Sequence, residues 1–271
     1  MAMSLTERFR VAPGTAVRLA DWDPDDTLGY ASKKEARKEL KKLRQRLTEL
    51  QFLLYAENKR GLLIVLQGMD ASGKDGTIRH VMRGVNPQGT TVASFKKPSA
   101  DELDHDFLWR IHKAMPRRGD IGIFNRSHYE DVLVVRVHDL VPKEVWSARY
   151  DLINSFEKNL AEDGIVILKF YLHISKEEQK SRFEARLTDP TRHWKISPSD
   201  FSERPFWEHY TEAFEEAVTR CSTDWAPWFV IPANKKWFRN LAVASVIVEQ
   251  LESMNMQFPE PSFDVSAVTI D

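Results

Sequence analysis

The chain has 271 residues, a formal net charge of -1 and a single cysteine, Cys221. Near-neutral charge argues against a constitutive nucleic-acid binder, which carries a basic excess; one cysteine excludes an intrachain disulfide and suits a reducing compartment. No apolar run approaches the ~20 residues of a membrane span, and the N-terminus lacks the apolar centre of a signal peptide, so a cytoplasmic protein with one large core is expected.

In chain order, residues 1–31 carry Pro13 and Pro24 and read as an extended arm across the surface. Ser32 and Glu35 have capping-box spacing. From there Ala36, Leu40, Leu43, Leu47, Leu50 and Leu54 alternate steps of four and three, a heptad seam on a helix ending near Gly61. Eight basic residues lie between Lys33 and Arg46; they read either as a solvated face or as a basic rim for a polyanion or a partner.

The run 62–66, LLIVL, has the character of a strand buried on both faces. It is followed by Gly68-Met69-Asp70-Ala71-Ser72-Gly73-Lys74, and then by Ile78, Val81, Met82 and Val85 at helical spacing. Strand, glycine-rich turn and helix in that order can aim backbone N–H groups and an ammonium at a phosphate chain. Phosphoryl chemistry is therefore the first hypothesis. The usual motif has Ser or Thr after the lysine as a magnesium ligand; here the position is Asp75. Asp70, inside the loop, is the candidate metal carboxylate, since magnesium takes few carboxylates together with phosphate and water.

Further strands are expected at 91–95, 121–124, 165–174 and 228–231, with helices at 101–115, 143–160, 175–187, 206–220 and 236–252 and a Pro- and Ser-rich loop at 188–205. Alternating strands and helices predict an α/β fold, a parallel sheet covered on both faces. The expected organisation is an arm and long helix over 1–60, a core over 61–252 with a lid at 182–205, and a loose tail over 253–271.

Ligands of such sheets bind beyond the carboxyl ends of the strands. The strand at 121–124 runs into Asn125, where many phosphate-loop enzymes place an Asp, and then Arg126, which can bridge phosphate oxygens. Glu130 and Asp131 could supply negative charge to a metal or contact the acceptor, and Arg136 follows. Arg182 and Arg186 share a helix face; with Arg192 and Lys195 they resemble a mobile lid that brings guanidinium groups onto phosphates. Lys96 and Lys97 end the second strand, with Lys97 a phosphate-binding candidate. His105, His112 and His138 lack metal-ligand spacing and read as structural, as does Cys221.

Residues 51–90, FKKP at 95–98, DFLWR at 106–110, IFNRSHYEDVLVVRVH at 123–138 and DPTRHWK at 189–195 resemble the polyphosphate kinase 2 family, and the NRSHYED form resembles its third class. The resemblance implies a thymidylate-kinase-like P-loop fold, a three-layer sandwich with an N-terminal helical extension and a helical lid. It implies Mg2+ dependence, inorganic polyphosphate as donor, and AMP and ADP as acceptors on the way to ATP, reversibly. By position, the loop from Gly68 through Asp75, Gly76 and Thr77 grips phosphate, with Lys74 on the transferring group. Asp70, Arg126, Arg182 and Arg186 take catalytic roles, and Asn125, His128, Tyr129, Glu130 and Asp131 lie on the nucleotide side. A homo-oligomer, dimer or tetramer, is implied, and the heptad seam could serve it. The rival readings are an ATP-dependent nucleoside monophosphate kinase and a polyphosphate-binding protein without catalysis.

Overall fold

The computed structural model describes residues 4–270. Five strands, β1 (Gly61–Gln67), β2 (Thr90–Ser94), β3 (Ile121–Asn125), β4 (Ile165–His173) and β5 (Trp228–Pro232), form one sheet in the order β2-β3-β1-β4-β5. Every pairing in it is parallel. β1 is central and wholly buried, as its unbroken apolar run requires. Its side chains alternate between two core clusters, Leu62, Ile64 and Leu66 in one and Leu63 and Val65 in the other. The chain lays β2 and β3 on one side of β1 and then β4 and β5 on the other, so the carboxyl end of β1 is the switch point where a ligand crevice opens.

The helices are α1 (Leu5–Phe9), α2 (Lys33–Glu57), α3 (Lys74–Val81), α4 (Ala100–Leu103), α5 (Trp109–Lys113), α6 (Glu130–Val137), α7 (Lys143–Glu162), α8 (Lys176–Leu187), α9 (Pro198–Ser202), α10 (Trp207–Cys221) and α11 (Lys236–Ser253). α1, α2 and α3 pack on α11, and α6, α7 and α10 pack on one another, which gives the outer layers of the sandwich.

Several expectations change in contact with the structure. The N-terminal arm is anchored rather than superficial: Phe9, Val11, Val17 and Leu19 are buried, and Arg10 bridges Phe229 antiparallel. That bridge covers the outer edge of β5, an edge that would otherwise template association. The helix expected at 101–115 is two short pieces, because Asp106 Oδ1 accepts from the Leu108 N–H at 2.9 Å and diverts the backbone. The segment 188–205 is not a bare loop. It holds a 3-10 turn at Pro190–Lys195, then α9, then a second turn at Arg204–Phe206.

The heptad seam is internal. Ala36, Leu40, Leu47, Leu50 and Leu54 are buried, and α2 lies along α11 of the same chain. The seam therefore leaves no face for a second copy. Leu47→Ala is expected to lower unfolding stability by about 2–5 kcal/mol, the range for a buried leucine truncated in a packed core, without changing the mass of the native species. Denaturant titration with light scattering checks both.

Candidate active site

The turn after β1 is held by its carbonyls. Lys74 Nζ donates to Gly68 O at 2.7 Å and to Met69 O at 3.4 Å. Gln179 Nε2 donates to Asp70 O at 3.0 Å. Arg182 Nη1 donates to Ala71 O and Ser72 O, both at 2.8 Å, and Arg239 Nη1 reaches Ser72 O at 3.1 Å. The Thr77 hydroxyl closes the set on Gly73 O at 3.1 Å. A peptide whose C=O points inward turns its N–H outward, so the loop and the start of α3 present donors to an anion. Ala71 sits at φ 61° and Gly73 at φ 103°. A Cβ on Gly73 would fall 1.9 Å from Arg239 Nη1, so the glycine is required by approach as well as by conformation.

Lys74 is partly buried among charges of both signs. Burial first, and then Arg126, pull its ammonium down to about 8, against Asp70, Glu130 and Asp75. Arg126 stands at φ 63°, a left-handed conformation rare for a bulky residue and found where a site stores strain. Its Nη2 meets Asp70 Oδ1 at 2.9 Å and its Nη1 lies 3.6 Å from Glu130. Asn125 Nδ2 donates to Asp75 Oδ1 at 2.7 Å. The two departures from the general phosphate-loop pattern thus compensate: an Asp at 125 would face the Asp75 carboxylate, whereas the amide binds it.

Two cavities use this loop as a wall. The smaller, about 220 Å³, is lined by Gly68, Met69, Asp70, Arg126 and Glu130 at one end and by Leu133, Val134, Trp207 and Phe214 beyond. Burial pushes the Glu130 carboxyl up, opposed by Arg126 and Lys74. The larger, about 1290 Å³, runs past Ala71, Gly73 and Gly76 between α2, α3, the lid and α11. Arg186, Arg192 and Lys195 line it, so these lid residues and the loop are brought together. Arg186 holds Asp200 at 3.7 Å and Arg192 holds Asp189 at 2.7 Å, while Trp194, which also lines this cavity, is 78% exposed.

Other candidates are placed elsewhere. Arg182 borders the larger cavity but offers it no free donor. Its five N–H groups are taken by Glu178 and by the carbonyls of Ala71, Ser72, Ala233 and Asn234, leaving none for a phosphate. His128 and Tyr129 line neither cavity and are fully buried. His128 Nε2 pairs with Glu157 Oε1 at 3.1 Å, and the Tyr129 hydroxyl donates to the same oxygen at 3.0 Å and accepts from Lys169 Nζ at 2.8 Å. Burial opposes ionisation of Glu157, but Lys169 and His128 prevail and hold its carboxyl low. Asp131 turns to Arg149 at 3.3 Å and Arg110 at 4.0 Å. Arg136 pairs with Glu216, stacks over Trp146 and lines a separate cavity. Lys97 is exposed and lines neither cavity at the loop. Ser72 and Thr77 are buried in the loop's support, not its rim. His138, read as structural, lines the smaller cavity and bonds Glu203 at 2.9 Å.

Sequence reasoning missed Glu203, Arg204, Trp207 and Tyr210 in that cavity, and Lys236 and Arg239 in the larger one. The signal for the last two was available: they follow the carboxyl end of β5, the same position that singled out Asn125 and Arg126. Among the described residues no group of three His, Cys, Asp or Glu side chains is set to hold a metal.

A glycine-rich loop at the switch point of a five-stranded parallel sheet, with an arginine-bearing lid over it, defines a phosphate-loop kinase. The polyphosphate kinase 2 (PPK2) family profile matches residues 30–259. The chain is 51% identical over 266 residues to an AMP/ADP-polyphosphate phosphotransferase of Meiothermus ruber, covering 98% of this chain and all of that one. It is 45% identical to an ADP-polyphosphate phosphotransferase of Rhodopseudomonas palustris, over 94% and 92% of the two chains. The crystal structure of polyphosphate kinase 2 from Arthrobacter aurescens superimposes with a TM-score of 0.94 at 43% identity, covering 98% of this chain and 95% of that one. The chain belongs to the polyphosphate kinase 2 family.

Two outcomes follow from this geometry. With Lys74 held at about 8, the ligand-free ammonium is lost as pH rises through that value. The pH profile of kcat/KM for the phosphate donor is expected to fall above about pH 8, and that of kcat at a higher pH, because bound phosphate favours the charged form. Asn125→Asp is expected to lower kcat/KM at least tenfold by setting two carboxylates face to face, and Asp75→Asn added to it to recover most of the loss, a double-mutant cycle that isolates the pair.

Proposed function

We propose that this protein transfers the terminal phosphate of inorganic polyphosphate to ADP and to AMP, forming ATP in two steps from AMP. The observation that carries the reading is the division of the loop between two cavities of opposite character. The larger is a cationic groove fit for a long polyanion, and the smaller has an apolar interior fit for a nucleoside behind a phosphate-binding mouth. A terminal phosphate oxygen of ADP or AMP attacks the last phosphorus of the donor in line. The P–O bond to the rest of the chain breaks, and a polyphosphate one unit shorter leaves.

Such a transfer asks the protein for position and charge rather than covalent chemistry. The loop N–H groups and Lys74 hold the end of the donor, and Arg126 meets the charge that develops between donor and acceptor. Arg186, Arg192 and Lys195 close over the donor from the lid. Arg182 and Arg239 act behind the loop, as clamps that keep its carbonyls turned in. Lys97, Arg136 and Asp131 have no part in the phosphate path.

The loop offers hard carboxylate oxygens for Mg2+ at Asp70, and a magnesium ion needs only one or two carboxylates beside substrate phosphates. When bound, the ion neutralises phosphate charge and polarises phosphoryl oxygens. We assign the protein to the cytoplasm, where nucleotide acceptors are abundant, and any homo-oligomer to a surface other than the α2 seam.

Lys74→Ala is expected to lower ATP formation from ADP and polyphosphate by at least about 10²-fold, the scale set by loss of one charge-stabilising donor. Phosphorus NMR in ATP-free buffer reads the product. ATP forming at near wild-type rate in the variant would reject the assignment of Lys74. Wild-type enzyme that phosphorylates AMP only when ATP is supplied would favour the nucleoside monophosphate kinase reading.

A further inference from the structure

The larger groove continues well beyond the loop. Lys33, Arg37, Lys41 and Arg44 fall at steps of four, four and three along α2, on one helix face, and all line it. They span about 16 Å at the helical rise. Two of the other basic residues of α2 are paired, Lys42 with Glu39 at 3.1 Å and Arg46 with Glu49 at 3.1 Å and with Glu252 at 2.8 Å. Among the described residues, none of the four in the groove is within 4.0 Å of a carboxylate oxygen.

The opposite wall repeats the pattern. Arg79 and Arg83, from α3 and the turn after it, face the same space with His80 between them. Arg44 Nε is buried without a hydrogen-bond partner. Burial and the Arg83 guanidinium both disfavour the charged form of Arg44, and burial followed by Arg44, Arg79, Arg239 and Arg83 does the same to His80. Six cations thus face one another across the groove with no carboxylate between them, an arrangement that costs energy until a multivalent anion lies in it.

None of these six is among the side chains that hold the loop's carbonyls, which are Lys74, Thr77, Gln179, Arg182 and Arg239. Building on the polyphosphate reaction proposed above, we infer that the face of α2 formed by Lys33, Arg37, Lys41 and Arg44 is a rail that sets donor chain length. A short polyphosphate is held by the loop, Lys74 and the lid. Only a chain that extends past α3 reaches the rail and gains its contacts, so the rail confers preference for long donors without contributing to the chemical step.

The test is a triple variant, Lys33→Gln/Arg37→Gln/Lys41→Gln, which replaces exposed side chains and leaves the half-buried Arg44 in place. kcat/KM is measured at saturating ADP over polyphosphates graded from tripolyphosphate to long chains, at several salt concentrations. In wild type, kcat/KM is expected to rise with chain length. In the variant the rise flattens, with a loss of about tenfold on long chains, the sum of three exposed charge contacts, and little change on the shortest donor that is turned over. The salt dependence for long chains becomes shallower, because fewer counterions are displaced. Equal losses at every length, no loss at any length, or a wild-type rate independent of length would overturn the rail while leaving the reaction standing. A wild-type enzyme that makes no ATP from any polyphosphate would overturn the reaction and the rail together.

Discussion

The loop after β1 depends on keeping its carbonyl oxygens occupied from behind. All six from Gly68 to Gly73 accept a hydrogen bond from a side chain, supplied by Lys74, Gln179, Arg182, Arg239 and Thr77. The donors come from α3, α8 and α11, which follow three different strands in the sequence. A loop so held needs no rearrangement when phosphate arrives, and preorganised N–H donors are worth most when nothing must move. Gly73 belongs to the same constraint, since the guanidinium that holds Ser72 O occupies the space a side chain would take.

Charge is then partitioned around the loop. On the acceptor side, Arg126 is matched by Asp70 and Glu130. On the donor side Lys33, Arg37, Lys41, Arg44, Arg79 and Arg83 face one another without carboxylates. A nucleotide carries few charges and an apolar ring system, whereas polyphosphate carries a charge on every unit. The two cavities differ as their proposed occupants do, and a chain with net charge -1 reaches this result by local segregation.

Much of this was legible from residues. The apolar run 62–66 announced a central strand, and the loop and the stripe after it announced the site, because burial on both faces and helical spacing leave patterns along the chain. The α2 seam was legible as a buried stripe, but spacing alone does not say whether the partner is another copy or, as found, α11. Within NRSHYED, adjacency misled. The left-handed turn at Arg126 redirects the chain, so His128 and Tyr129 enter the core to meet Glu157 and Lys169, residues about 30 and 40 positions away that no local pattern joins to them. Arg182 was legible as important and not as a clamp, since its bonds to Ala71 and Ser72 exist only in the folded chain.

The central claim is that donor and acceptor occupy separate cavities at once and that phosphate passes directly between them across one loop. Initial rates of ATP formation, with polyphosphate and ADP varied against each other, test it most directly. The account predicts intersecting double-reciprocal lines, the pattern of a ternary complex. Parallel lines, with phosphate left on the enzyme after polyphosphate alone is added, would show a covalent relay through one site and contradict it.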